Sequence, residues 1–204
     1  DSGNGDGQIY FGGISGSDRT YLARSTDDFL IWNVANGPMR FGTNNSERLR
    51  ILSGGGITFN GDTADANALD DYEEGTHQTA VSMATSGTVT LNTSFDRFSY
   101  TKVGRLVTIT GNPRIASVSS PVGSMSLTLP FTAASGQTDE CRSGGMIRYY
   151  DNSAGSGAYN KPMAFAIQEG TSTISITNGN THNNNVTPAA SDEFYFCVSY
   201  ITAT

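Results

Sequence analysis

Three short copies of one pattern limit what this chain can fold into: Gly7-Gln8-Ile9-Tyr10-Phe11-Gly12-Gly13, Gly37-Pro38-Met39-Arg40-Phe41-Gly42-Thr43 and Gly55-Gly56-Ile57-Thr58-Phe59-Asn60-Gly61. Residues two apart share one face of a strand, so each copy offers a pair of apolar teeth: Ile9 with Phe11, Met39 with Phe41, and Ile57 with Phe59. Turn residues then reverse the chain, and equally short candidate strands lie between the copies at Thr20 to Ala23, Phe29 to Val34 and Leu49 to Leu52. A strand with two or three inward residues cannot offset the ordering of its backbone, which costs about 1 to 2 kcal/mol per residue. A segment of roughly 60 such residues is marginal by itself. Stacking copies from several chains makes the core continuous, because each tooth then packs on its counterparts. Residues 1–62 therefore read as an intertwined β-rich shaft or neck. An ordinary β-meander with chance similarity between strands is the competing reading.

Composition agrees with a folded β protein. There are 24 Gly and only 36% hydrophobic residues, which favours many turns and short strands, while ten Phe and nine Tyr supply β-forming aromatics that a disordered tail would lack. The net charge of −7 leaves no basic footprint, so neither nucleic acid nor an anionic membrane surface is an expected partner. No apolar run approaches the roughly 20 residues of a membrane helix, so no membrane insertion is expected. The first residue is Asp1 rather than Met, which reads as a fragment or processed chain whose attachment region lies upstream. Cys141 and Cys197 match neither a zinc spacing nor a CxxC pair; they read as buried free thiols, with one disulfide as the alternative.

Residues 63–78 concentrate Asp65, Asp70, Asp71, Glu73 and Glu74, with Ala spacing that permits one helical turn, and read as an acidic linker. A solvated charge run is preferred there to a cation site. Leu69 and Tyr72 are spaced to pin the turn onto the next domain. From residue 79 to 204 the pattern is that of an antiparallel β-sandwich tip, jelly-roll-like. Met125, Leu127 and Leu129 alternate with Ser and Thr, Ile174 and Ile176 do the same, and Phe98 and Tyr100 lead through Val103-Gly104 into a hairpin ending at Gly111. The last strand, Glu193 to Ile201, is apolar on both faces and is expected to be central or buried at an interface.

Several phrases meet a known family. Ser46-Glu47-Arg48-Leu49-Arg50-Ile51, followed by a Gly-rich turn and Ile57-Thr58-Phe59, resembles a shaft element of phage tail-fibre and marine-phage structural proteins. Leu69-Asp70-Asp71-Tyr72-Glu73-Glu74-Gly75-Thr76, then Tyr100-Thr101-Lys102-Val103-Gly104-Arg105-Leu106-Val107-Thr108-Ile109-Thr110-Gly111, then Leu129-Pro130-Phe131, resemble the signature near their carboxyl ends. The resemblance covers about residues 40 to 131. It departs at His77-Gln78-Thr79, where members often carry an aromatic residue and Pro. It implies a homotrimeric fibre segment of a virion, assembled in the host cytoplasm with reduced cysteines. The trimer core would be Ile9, Phe11, Met39, Phe41, Ile57 and Phe59.

No catalytic residue is expected. His77 and His182 lie in no nucleophile or zincin motif. Paired carboxylates that could hydrolyse a glycan, drawn from Asp96, Asp139, Glu140, Asp151 and Glu169, carry no distinguishing spacing. The Asp1 to Gly7 stretch lacks the closing Glu of a calcium loop, and neither metal nor cofactor is expected. Residues 142 to 160 and 178 to 185 read as long polar loops. Within them Tyr149, Tyr150, Asp151, Asn152, Tyr159, Asn160, His182 and Asn183 combine ring faces with hydrogen-bonding groups suited to a host surface glycan. Host attachment is thus the leading expectation; a head fibre or capsid decoration protein, and a glycan-degrading tailspike, are the alternatives.

Overall fold

The computed structural model describes residues 8–11, 20–136, 142–152, 159–178 and 186–203, with the backbone alone at residues 8, 10, 11, 159 and 160. It is all-β apart from one 3-10 turn, and every strand pairing is antiparallel. The chain divides into two units, residues 1–70 and 71–204.

The first unit contains two three-stranded sheets. One joins β1 (Gln8–Phe11), β2 (Thr20–Ser25) and β3 (Asp28–Asn33). The other joins β4 (Met39–Thr43), β5 (Ser46–Ile51) and β6 (Ile57–Phe59). In the second sheet the register sets Met39 opposite Ile51 and Ile51 opposite Ile57, and sets Phe41 opposite Leu49 and Leu49 opposite Phe59. Two of the three repeat copies thus flank β5 and present two apolar rows on one face. In the first sheet Ile9, Leu22 and Ile31 form a comparable row. These rows find no core within the unit. Among its described residues only Ala23 and Thr58 are buried, whereas Ile9, Phe29, Trp32, Phe41 and Phe59 are exposed, Phe29 by 72% and Phe59 by 54%.

The acidic stretch expected as a linker over 63–78 is partitioned instead. Asp65–Asn67 forms the 3-10 turn, and Asp62 accepts from the Ala64 N–H at 2.9 Å and the Asn67 amide at 2.7 Å. Leu69 is tied back to Ile57 by reciprocal backbone bonds of 2.8 and 3.0 Å. From Tyr72 onward the residues join a strand of the second unit, because Gly75, Thr76 and His77 pair directly with Tyr100, Ser99 and Phe98. The side chains of Leu69 and Tyr72 are exposed.

The second unit is organised by a nine-stranded sheet. Its members are β7 (Tyr72–Gln78), β8 (Val81–Met83), β10 (Arg97–Val103), β11 (Leu106–Gly111), β13 (Met125–Thr128), β14 (Ser143–Asp151), β15 (Tyr159–Ile167), β16 (Thr173–Thr177) and β17 (Glu193–Ile201). Their order is β7-β10-β11-β17-β14-β15-β16-β13-β8. β9 (Ser86–Leu91) and β12 (Ile115–Val122) form a separate pair. The strands at the two edges of the large sheet are consecutive in the chain, separated only by Thr79 and Ala80. The ladder runs straight across: Thr79 donates its N–H to Asp96 O at 2.8 Å, on the β10 side, and Thr128 donates to Ala80 O at 3.0 Å, on the β13 side. The sheet therefore curls back on itself, with Thr79 and Ala80 as the corner between its two ends. β17 is the opposite corner, since Tyr195 and the two residues before it pair with β14, and Phe196 to Ile201 pair with β11. The expected sandwich is present as two sheet halves joined at both corners.

Alternation fills the interior as the sequence predicts. Met125, Leu127, Ile174 and Ile176 are fully buried beside Phe98, Val107, Ile109, Ile167 and Phe194, and Val89 and Ile115 add to the same core from the β9–β12 pair. The β10–β11 hairpin turns at Gly104 and Arg105, where φ of +55° at Gly104 suits a residue without Cβ. β17 departs from expectation. Phe194, Phe196, Val198 and Tyr200 face the core, but Tyr195 and Cys197 are exposed on the other face, so the expected burial of the Cys197 thiol does not hold. Cys141 lies outside the described residues.

The seam contains a titratable group. His77 Nε2 lies 3.0 Å from Thr128 Oγ1, which also accepts from the Ala80 N–H at 2.9 Å. Burial lowers the His77 pKa below its ordinary 6.5, so folding favours the neutral ring. The unfolded chain then binds the extra proton, and stability falls as pH drops below about 6.5. Melting curves taken from about pH 7.5 down to pH 5 are expected to fall more steeply for the parent than for His77→Gln. Superimposable pH profiles would show that His77 is not linked to folding.

Candidate functional site

The residues expected to bind a ligand do not form one loop surface. Residues 143–151 and 159–167 pair along nine positions, from Ser143 opposite Ile167 to Asp151 opposite Tyr159. Strand alternation then sends neighbours to opposite faces. Tyr149 and Asp151 turn inward, and Tyr150 turns outward with Arg148.

Tyr149 is a core residue. Its ring packs on Phe194 with centroids 5.0 Å apart, and its hydroxyl donates to Asp192. Burial, then the Asp192 carboxylate, push the phenol pKa far above its ordinary value. Asp192 is fully buried and also accepts the Asn152 N–H at 2.9 Å and the Ala189 N–H at 2.7 Å. The Asn152 side chain donates to Ser191 O at 2.7 Å, so Asn152 braces the turn before β17. Asp151 is buried and accepts from Lys161 Nζ at 2.6 Å. Tyr159 and Asn160 lie on β15, but their side chains fall outside the described residues, as do His182 and Asn183 entirely.

The structure supplies a site that the sequence reading missed. A cavity of about 360 Å³ opens beside β15, lined by Tyr149, Lys161, Pro162, Met163, Asn178, Val186 and Thr187. Its origin is a mismatch of strand lengths. Among the described residues β15 pairs with β16 over Ala164 to Ile167, and Lys161 to Met163 extend beyond that ladder. Asn178 and the Val186-Thr187 segment border the gap, the latter anchored by Val186 N–H to Gly123 O at 3.0 Å. Pro162, which cannot donate to a ladder, falls on β15 beyond its described pairing with β16. A Pro inside an otherwise alternating strand was the signal available in the sequence.

Outside the cavity, the Arg148 guanidinium lies 4.7 Å from the centre of the Tyr195 ring and 5.9 Å from that of Tyr150. Tyr195 in turn donates to Glu193 at 2.8 Å. Burial raises the Glu193 pKa, but bonds from Arg114, Asn112 and Tyr195 outweigh it and hold the carboxyl below its ordinary value. A shallower depression of about 240 Å³, lined by Ile147, Arg148, Lys161 and Pro162, shares Lys161 and Pro162 with the cavity. The region thus offers a half-open mixed pocket and, on the outer face, a stacked Tyr-Arg-Tyr platform.

No protein-family model matches the chain, and no curated protein matches it. Among solved structures, the reovirus attachment protein sigma1 in complex with alpha-2,3-sialyllactose is similar at 12% identity and a TM-score of 0.38, over 97% of this chain and 96% of that one. A likeness of that degree carries no argument about this chain.

The placement of Tyr149 separates scaffold from surface. Tyr149→Phe removes a hydrogen bond to a buried carboxylate and is expected to cost about 1.5 to 3 kcal/mol in urea unfolding. Tyr150→Phe, on the outer face, is expected to stay within about 0.5 kcal/mol. Equal effects would mean that the Asp192 bond does not support the fold.

Proposed function

We propose that this chain is a non-enzymatic, host-attachment segment of a bacteriophage fibre or spike, working as a homotrimer whose first unit is completed by its own copies. The observation that carries the reading is the contrast between the units. Residues 71–204 enclose a continuous core, while residues 20–70 bury only Ala23 and Thr58 and leave aligned apolar rows open. Such faces mark association surfaces. Copies of this chain are the occupant, because the rows come from repeats of one pattern and need equivalent rows to stack upon. The count of three rests on the resemblance of Ser46–Ile51 and Tyr100–Gly111 to fibre proteins. That resemblance also supports a virion location, with an upstream region joining the segment to other virion proteins.

The cavity beside β15 and the Arg148 platform are the proposed site for a host surface glycan. Three copies would raise a weak single-site affinity through avidity. Binding is favoured over glycan hydrolysis because each described candidate acid accepts a structural bond, and the oxygens of Asp96 and Glu169 left without a hydrogen bond, Oδ1 and Oε2, are buried. Asp96 accepts from Gln78 at 2.7 Å, Asp151 from Lys161 at 2.6 Å, and Glu169 from Arg142 at 3.3 Å. Asp139 and Glu140 lie outside the described residues.

Sedimentation equilibrium of the chain at low micromolar concentration is expected to give a three-chain species; a folded monomer would overturn the proposal. Phe41→Ala and Phe59→Ala are each expected to destabilise that species by about 3 to 5 kcal/mol per buried ring. Unchanged melting would mean that these rings stay in water and that the shaft reading is wrong.

A further inference from the structure

The cavity beside β15 constrains the charge of what it can hold. Among the described residues of its lining Lys161 is the charged one, and one of its three N–H donors is spent on Asp151. Directly behind the lining lie two carboxylates: Asp151 behind Lys161, and Asp192 behind Tyr149. A ligand carboxylate entering here would meet one cation already paired and two anions, in a chain of net charge −7. An ammonium-bearing ligand would instead be opposed by Lys161 itself. A neutral ligand meets neither penalty.

The remaining lining chemistry suits hydroxyls. Lys161 supplies donors, and the Thr187 hydroxyl and Asn178 amide each combine donor and acceptor character, which matches groups that both give and accept hydrogen bonds. Pro162, Met163 and Val186 supply apolar wall for the C–H face of a ring. The volume of about 360 Å³ falls within the range of small-ligand sites.

We infer that this cavity takes a neutral, hydroxyl-rich sugar and discriminates against sugars bearing a carboxylate. The inference rests on the glycan-binding reading above and narrows it to one chemical class. Lys161 is the positioning donor: its ammonium bridges Asp151 and a sugar hydroxyl. Asp151 sets the selectivity by opposing a second anion.

The test is a panel of neutral and uronic- or sialic-acid-containing glycans presented to the full chain, read as equilibrium binding at about 50 and 500 mM salt. Binding confined to neutral glycans, insensitive to salt, is expected. Lys161→Met should weaken it about tenfold or more, as loss of a charge-assisted hydrogen bond does. Should Lys161→Met fail to fold, Thr187→Val, at an exposed position, decides the location; it is expected to weaken the same binding about threefold or more. Asp151→Asn should reduce the rejection of acidic glycans. Binding to acidic glycans that these substitutions abolish would overturn the inference and leave the glycan-binding reading intact. Neutral binding that none of the variants alters would place the site elsewhere and also overturn the inference. Absence of binding to every glycan would remove the glycan-binding reading itself, and the inference with it.

Discussion

A sheet of nine strands keeps its curl only if its edges are held, and in this chain the edges are adjoining stretches of backbone on either side of Thr79 and Ala80. Bonds from Thr79 to Asp96 and from Thr128 to Ala80 pass the ladder from one half to the other, with the Thr128 hydroxyl serving both Ala80 and His77. Everything enclosed depends on that closure. Phe98 and Val107 from one half meet Leu127, Ile147 and Ile174 from the other, and β17 contributes Phe194 to Tyr200 because it serves as the second corner. Strand lengths also differ, and the cavity lies beside Lys161 to Met163 of β15, a stretch that pairs with β14 but, among the described residues, not with β16.

The first unit has no comparable device. Its two sheets are three strands wide, and their apolar rows are half-buried at Leu22, Met39, Leu49, Ile51 and Ile57 and exposed at Ile9, Ile31, Phe41 and Phe59. One chain thus combines a unit with a continuous core and a unit whose described residues, Ala23 and Thr58 apart, are not buried. That division suits an assembly in which copies pack through the weak unit and present the strong one. It also accounts for the repeats, since equivalent teeth can stack on one another without a separate partner surface.

Much of this was legible in the residues. The two-residue period of Met125 to Leu129 and of Ile174 to Ile176 gave correct inward faces, and Val103-Gly104 marked a hairpin that the register bears out. That the short strands of the first unit enclose little core, with Ile9, Phe41 and Phe59 exposed and Met39 and Ile57 half-buried, agrees with their brevity. Two things were hidden. The Gly-rich start of 142–160 read as loop, yet Gly144 and Gly145 lie in β14, where Gly145 leaves room for the Phe165 ring; an added Cβ would come within 3.0 Å of it. Once this is strand, Tyr149 and Tyr150 fall on opposite faces and cannot act as a set. The hub at Asp192 was equally invisible, because its three donors come from Tyr149, Asn152 and Ala189, brought together only by closure. The second apolar face of β17 misled for a related reason: Tyr195 is occupied by Arg148 and Glu193 rather than by a covering layer.

The central claim is that residues 1–70 depend on other copies while residues 71–204 stand alone, and the chain contains its own probe. Its single tryptophan, Trp32, lies on β3 in the first unit. Urea unfolding at several chain concentrations, followed by Trp32 fluorescence and by far-ultraviolet circular dichroism, separates the two units. The expected result is a Trp32 transition whose midpoint rises with chain concentration, as coupled association requires, and a later transition that does not move. A Trp32 midpoint independent of concentration would contradict the claim.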